Sequence, residues 1–241
     1  RRADLRWPIP VDIRQRLTGA RVTGLGRRAK YGLIHTDRDD TLIFHLGMSG
    51  RWRVDPEEIE KHDHFILETG ASRVVALNDH RRFGSLDIVR RDELDSFRHF
   101  IAMGPEPLDD AFDTTVLHAA LKARKAPIKA VLNQSIVAGL GNIYVCEALH
   151  MAGISPVTPA IKISRPRAEK LVIAIKDVLA AAIKAGGSTL RDFAAPDGEL
   201  GYFAKNWLVY GREGQSCHCG ATVERRVDSG RSTFYCPKCQ R

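Results

Sequence analysis

Four of the chain's five cysteines stand close to its C-terminal end, as Cys217-His218-Cys219 and, sixteen residues further on, Cys236-Pro237-Lys238-Cys239. Two close pairs of thiols on a short hairpin present four thiolates to one tetrahedral Zn²⁺ ion. The second pair has the usual two-residue spacer, but the first has one residue, which leaves His218 open as a substitute ligand. Disulfides or idle thiols are the competing reading. No secretory signal opens the chain and its composition reads as intracellular, so a structural zinc is expected. Between the pairs lie Arg225, Arg226, Arg231, Thr233, Phe234 and Tyr235. The metal is therefore expected to staple a basic, aromatic-bearing hairpin too small for a core of its own. Cys146 sits alone in an apolar helical run and reads as core filler.

Other stretches have chemistry of their own. Gly139-Leu140-Gly141-Asn142 joins two helical runs, with Asn142 at the expected cap position; a helix start preceded by glycines exposes N–H groups suited to a phosphate oxygen. Lys122, Arg124, Lys125 and Lys129 just upstream favour phosphate contact over a merely solvated basic face. Arg27-Arg28-Ala29-Lys30-Tyr31 reads as strand. A lysine crowded by arginines has its neutral form favoured, as a nucleophile or proton carrier requires, although such runs are more often charged strand edges. Met48 and Phe83 fall on glycine-rich turns, where they suit wedging between base steps with Arg81 filling the vacated position; the alternative is packing beneath their own hairpins. His62-Asp63-His64 is open to a metal or acid–base role, and a single histidine–phosphate contact is the milder expectation.

The 241 residues suffice for two modest domains, and 44% of them are hydrophobic. Lys and Arg number 37 against 29 Asp and Glu, a formal charge of +8, which favours a polyanionic partner over a plain solvated surface. No apolar run approaches bilayer length, so a membrane-spanning role is not expected.

The elements that must position these residues change character along the chain. Short β-branched and aromatic segments such as 41–46, 64–68 and 73–77 alternate with turn residues and predict an N-terminal β-sandwich. From Arg91 the period becomes helical, with Leu94, Phe97 and Ile101 on one face, and Gly104-Pro105-Glu106-Pro107 marks a hinge. Helices are predicted over 114–124, 127–134, 142–152 and 165–185, the last with Ser164 as N-cap and Gly186-Gly187 as its stop. The fold class is α+β in two domains, with segments 1–104, 105–212 and 213–241.

Taken in order, Arg-Arg-Ala-Lys-Tyr at 27–31, His-Leu-Gly-Met-Ser-Gly at 45–50, Lys-His-Asp-His at 61–64, Arg-Arg-Phe-Gly at 81–84, Gly-Pro-Glu-Pro-Leu at 104–108, Gly-Leu-Gly-Asn-Ile-Tyr at 139–144 and Arg-Ser-Thr-Phe-Tyr-Cys at 231–236 resemble the bacterial formamidopyrimidine-DNA glycosylase family over essentially the whole chain. The resemblance implies a β-sandwich, a helical domain with a helix–two-turns–helix element, and a zinc-finger hairpin bearing one structural Zn²⁺ on Cys217, Cys219, Cys236 and Cys239. It also implies a DNA repair enzyme that excises oxidised purines, such as 8-oxoguanine and formamidopyrimidines, and cleaves the abasic strand by β,δ-elimination. In that plan Lys30 serves β-elimination, and Arg231 serves phosphate contact and δ-elimination. Asn142 binds phosphate, Met48, Arg81 and Phe83 enter the gap, and His62, Arg81 and Arg124 contact DNA; Lys129 is expected to join them from its place in the basic run before the glycine turn. The stretch 198–205 covers the extruded base. The partner is double-stranded DNA holding oxidised bases or abasic sites, met by a monomer in the bacterial cytoplasm.

The family's attacking amine is an N-terminal proline followed by a glutamate. This chain opens Arg1-Arg2-Ala3-Asp4-Leu5-Arg6-Trp7, which aligns inside the family's β-domain, so a fragment of a longer protein is expected. Two other readings are an endonuclease VIII-type enzyme for oxidised pyrimidines and a non-catalytic zinc-dependent protein that binds damaged DNA. Further departures are the one-residue Cys217–Cys219 spacer and Asn133, where many relatives are acidic.

Overall fold

A β-branched and aromatic run bounded by turns over 41–46 favours a buried strand, and the computed structural model, which describes residues 2–187, 203–228 and 230–241, pairs residues 40–45 with 85–90. Strands β1 (Val22–Arg28), β2 (Tyr31–Thr36), β3 (Asp40–His45) and β7 (Ser85–Arg90) form an antiparallel sheet in the order β1-β2-β3-β7. A second antiparallel sheet runs β4-β6-β5, from β4 (Arg51–Val54), β5 (Asp63–Glu68) and β6 (Val74–Asn78). Leu42, Leu86 and Ile88 of the first sheet share a core with Leu77 of the second, and Trp52 and Phe65 pack against it. Leu5, Ile9 and Ile13, the last from helix α1 (Ile13–Leu17), complete that core. Gly32 pairs with Phe44 across β2 and β3, and a Cβ at Gly32 would lie 2.1 Å from the Phe44 ring. The glycine thus makes room for the aromatic.

The chain forms two compact units, one running through Ile101 and one made of Ala102–Ala185 with Phe203–Arg241. The second unit contains helices α2 (Thr114–Lys122), α3 (Ile128–Val131), α4 (Asn142–Met151) and α5 (Arg165–Lys184) and the hairpin strands β8 (Glu224–Asp228) and β9 (Arg231–Tyr235). Its main core joins Leu117 and Leu121 of α2, Ile128 of α3, Leu149 of α4 and Leu171 and Ile175 of α5, all fully buried. No helix among the described residues is long and apolar enough to cross a membrane.

Three local expectations are corrected. Residues 91–101 do not form an α-helix: a 3-10 segment spans Arg91–Ser96 and Phe97 turns extended. The spacing of 94, 97 and 101 suggested a helical face, but Phe97 and Phe100 pair edge to face instead (5.0 Å) while Ile101 is exposed. Lys30 is not in a strand. Arg28 pairs with Tyr31 and Ala29 has φ +52°, so Ala29 and Lys30 form a two-residue hairpin turn. Asn142 does not cap α4: the N-cap is Gly141, and Asn142 is the first helical residue. Ser164 does occupy the N-cap of α5, but its side chain makes no capping hydrogen bond.

Candidate nucleic-acid interface

In the β unit the turns bearing Met48 and Phe83 are built against each other. Gly47 (φ +67°) is pressed against main chain, where a Cβ would lie 2.5 Å from the Phe83 carbonyl carbon. Only glycine fits such a position. Asp79, fully buried, ties the two turns: its carboxylate accepts the Ser49 hydroxyl at 2.5 Å and the Gly84 N–H at 2.8 Å. The Arg81 N–H in turn reaches the Ser49 hydroxyl oxygen at 3.3 Å. On this latch Met48 is 62% exposed and Phe83 44%, with the Arg81 guanidinium 4.8 Å from the centre of the Phe83 ring. Two apolar side chains and a cation on rigid turns therefore project together. That disposition is costly in water and useful against stacked bases.

The Lys30 turn adjoins an aromatic cluster in which Tyr31 meets His45 (4.8 Å), His99 (5.8 Å) and Phe100 (5.4 Å). Arg27 Nη1 donates to the Ala29 carbonyl at 2.8 Å, holding an alanine in the left-handed region at a cost of about 1 kcal/mol. His45 Nδ1 accepts the Gly47 N–H at 2.9 Å. Burial, with the positive charges of Lys30 and Arg6 adding to it, brings the His45 pKa down to about 4. The ring is therefore neutral at pH 7.

His62 belongs to a polar pocket of about 380 Å³ lined by Arg2, Lys61, His62, Asp63, His64, His80 and Arg82. Its ring lies 5.9 Å from that of His64 and 6.3 Å from that of His80. Asp63 takes no part in a histidine metal cluster: its buried carboxylate accepts Arg53 Nη1 at 2.7 Å and the Glu60 N–H at 2.8 Å. The pocket is a basic recess of the kind that accepts a phosphate oxygen.

In the helical unit Asn142 sits between a cation and the hairpin. Lys129 Nζ donates to its Oδ1 at 2.7 Å, and its Nδ2 donates to the Ser232 carbonyl at 2.8 Å. Burial lowers the Lys129 pKa below its ordinary value, the largest of several influences, and nearby Arg231 lowers it further. The turn before α4 is clamped by Gln134, which accepts the Gly139 N–H and donates to the Leu140 carbonyl, both at 2.8 Å. Asn133 Oδ1 accepts the Ser135 N–H (2.9 Å) and hydroxyl (2.7 Å), a role a carboxylate would also fill. Arg124 follows α2 and is half-buried, its carbonyl accepting the Ile161 N–H at 2.8 Å.

Arg231 opens β9 at the hairpin tip, beside Gly230 (φ +75°). Arg225 pairs with Glu213 (2.9 Å) and Arg226 with Asp228 (2.8 Å), whereas Arg231 is exposed and has no acidic partner among the described residues. An exposed guanidinium with no acidic partner among the described residues suits a phosphate.

One face of α4 seats this hairpin. Asn142, Cys146 and His150, at i, i+4 and i+8, touch Ser232, Phe234 and Cys217 in turn. The hairpin thus has a small core, in which buried Cys146 packs with Val209, Val223, Phe234 and Cys236. Glu147, 1% exposed, accepts the N–H groups of Leu208 (2.7 Å), Val209 (3.0 Å) and Tyr210 (2.8 Å), anchoring the segment that leads into the hairpin. No sequence signal short of its place in an apolar helix pointed to this glutamate, and Gln134 was likewise not singled out.

The sulfurs of Cys217, Cys219, Cys236 and Cys239 lie within 4.8 Å of one another, close enough to hold one metal ion. A second, overlapping set is formed by His150, Cys217, His218 and Cys239. Four soft donors at this separation fit Zn²⁺. Of the expected base-covering stretch 198–205, residues 198–202 lie outside the described residues; a 3-10 turn spans Phe203–Asn206.

Comparison with known proteins agrees with this geometry. Three family profiles match: the formamidopyrimidine-DNA glycosylase N-terminal domain over residues 1–86, the formamidopyrimidine-DNA glycosylase H2TH domain over 103–194, and the zinc finger found in FPG and IleRS over 218–241. The formamidopyrimidine-DNA glycosylase of Rhizorhabdus wittichii is 66% identical over 242 residues, spanning 100% of this chain and 90% of the relative. That of Sphingopyxis alaskensis is 63% identical over 241 residues, spanning 100% and 89%. Among solved structures, the MutM (Fpg) protein from Thermus thermophilus superposes with a TM-score of 0.86 at 41% identity, covering 92% of this chain and 84% of that one. A complex between Lactococcus lactis Fpg and DNA containing an abasic site superposes with a TM-score of 0.89 at 34% identity, covering 95% and 86%. With a sandwich, a helical unit and a metal-binding hairpin each matched in order, this chain belongs to the formamidopyrimidine-DNA glycosylase family.

Proposed function

We propose that this protein excises oxidised purines from duplex DNA and cleaves the strand at the resulting abasic site. The observation that carries the reading is the Met48, Arg81 and Phe83 group, held out into solvent by a buried Asp79 latch. A base inside a duplex is inaccessible to chemistry, so its nucleotide must swing out at a cost of a few kcal/mol of unstacking. Met48 and Phe83 offset that cost by occupying the vacated stack, and Arg81 faces the orphaned partner base. His62, Arg124, Lys129, Asn142 and Arg231 grip backbone phosphates around the lesion.

Lys30 then takes part in β-elimination and Arg231 in δ-elimination, each acting on a sugar–phosphate held in place by the phosphate contacts. The role of attacking amine is assigned to no described residue. Cys217, Cys219, Cys236 and Cys239 hold one structural zinc, which supplies folding energy to the hairpin and takes no part in bond breaking. The division of labour follows segments 1–104, 105–212 and 213–241. The protein acts as a cytoplasmic monomer that associates with the nucleoid when bound to DNA.

The test is excision by the protein as its gene encodes it, from duplexes carrying 8-oxoguanine opposite cytosine and, separately, thymine glycol. Faster release of 8-oxoguanine supports the purine reading. A clear preference for thymine glycol overturns it in favour of pyrimidine repair, and binding of both without release of either overturns the catalytic reading.

A further inference from the structure

We propose that His150 is the outer support of the zinc centre, its imidazole N–H donating to the sulfur of Cys217. The inference rests on the reading of the four cysteines as zinc ligands. Nε2 of His150 lies 3.5 Å from Cys217 Sγ, within the range of an N–H···S hydrogen bond, and the histidine is only 5% exposed. A zinc-bound cysteine is a thiolate and has no proton to give, so in the loaded site the imidazole must be the donor. The other ring nitrogen, Nδ1, is buried with no hydrogen-bonding partner among the described residues, which leaves Cys217 as the side-chain hydrogen-bond contact of His150 among them.

The sequence of the hairpin says why such a donor is needed. Cys217 and Cys219 are separated by one residue where a Cys-x-x-Cys loop has two. A shorter loop brings fewer main-chain N–H groups round to the first sulfur, and the one that reaches Cys217 belongs to Cys219. Thiolate charge left without donors makes a zinc site leakier and its sulfur more reactive. Besides exposed His218, whose Nδ1 also lies 3.5 Å from Cys217 Sγ, a buried donor comes from another element: His150 stands on the same face of α4 as Asn142 and Cys146, the residues on which the hairpin rests. The helix that bears Asn142 thereby also stabilises the metal that holds Arg231 in place.

Two variants test this in the zinc-loaded full chain. His150→Phe keeps a ring of similar volume without the donor; His150→Gln retains an N–H. Zinc content of the unaltered protein is measured first, and one zinc per chain is the premise; its failure would refute the zinc reading itself. Zinc retention is then followed by competition with 4-(2-pyridylazo)resorcinol, and each protein is also prepared with Co²⁺ to read the thiolate-to-metal charge-transfer band. Zinc should be held roughly 10- to 100-fold more weakly in His150→Phe, with His150→Gln between the two. The charge-transfer band should shift in energy in His150→Phe while keeping the intensity of four thiolates. Unchanged retention in His150→Phe overturns the proposal. So does equal loss in both variants with an unshifted band, which would mean mere packing. A wild-type band of fewer than four thiolates that changes on loss of the imidazole would make His150 a ligand, and also overturns it.

Discussion

The Ser49 hydroxyl donates to the buried Asp79 carboxylate at 2.5 Å, and through that bond the turn bearing Met48 is locked to the turn bearing Phe83. The two wedge residues are separated by a long stretch of chain, yet a single carboxylate sets their spacing. Asp79→Ala leaves the Ser49 hydroxyl and the Gly84 N–H without their acceptor, a loss of about 1–3 kcal/mol for each bond. Urea unfolding should show a destabilised β unit, and affinity for a duplex with a tetrahydrofuran abasic analogue should fall while affinity for undamaged duplex changes little. Equal loss on both duplexes would mean that the latch does not serve lesion recognition.

Arg231 is the one arginine of the hairpin strands with no acidic partner among the described residues, which leaves its charge for a phosphate. Arg231→Ala should weaken binding and reduce the slope of log K against log salt by roughly 0.9, the share of one phosphate on duplex DNA. Titration at several salt concentrations reads this directly, and an unchanged slope would mean that the guanidinium does not touch the backbone.

Glu147 answers three main-chain N–H groups, those of Leu208, Val209 and Tyr210, from inside the protein. Replacing its charge with an amide in Glu147→Gln weakens every bond and turns one donor toward other donors. Bonds to a charged group are each worth about 1.5–3 kcal/mol, so a loss of roughly 3 kcal/mol is expected in denaturant unfolding of the helical unit. A loss below about 0.5 kcal/mol, the size of an ordinary surface change, would contradict the anchoring role.

His45 gives the acid limb of stability a defined sign. Its pKa in the folded protein is lowered to about 4 from 6.5, with burial the leading cause, so unfolding takes up a proton between those values. The stability it contributes is fully present above pH 6.5 and is lost as pH falls through about 4. His45→Asn keeps an acceptor for the Gly47 N–H but removes the titration, so it should flatten the fall by an amount on the order of 2 kcal/mol. Unfolding free energies at pH 7 and pH 4.5 check this; parallel pH profiles for the two proteins would contradict it.

Much of this architecture was legible because its signals are local. The β-branched and aromatic run over 41–46 announced β3, the paired cysteines announced a metal hairpin, and the long apolar stripe from Leu171 to Ala182 announced α5. Misreadings arose where tertiary packing overrode local period. Phe97 and Phe100 turn inward as a pair and break the helix that the spacing of 94, 97 and 101 suggested. Ala29 adopts a conformation usually left to glycine, so nothing in Arg27–Tyr31 advertised a turn at Lys30. In the site, residues that could meet DNA stood out by type, whereas Asp79, Gln134, Glu147 and His150 did not. Each acts on main chain or on another side chain far off in sequence, and that partnership exists only once the chain has folded.

The central claim is that this chain grips a duplex at a lesion by means of wedge residues, phosphate contacts and a zinc-pinned hairpin. Its most direct test is the dissociation constant of the zinc-loaded protein for a duplex with one tetrahydrofuran site, beside that for the same duplex intact. Binding to the lesion duplex should be tighter by at least about a hundredfold, ~2.7 kcal/mol, and should be lost when zinc is removed. Equal affinity for the two duplexes, or lesion binding that survives verified zinc removal, would contradict the account.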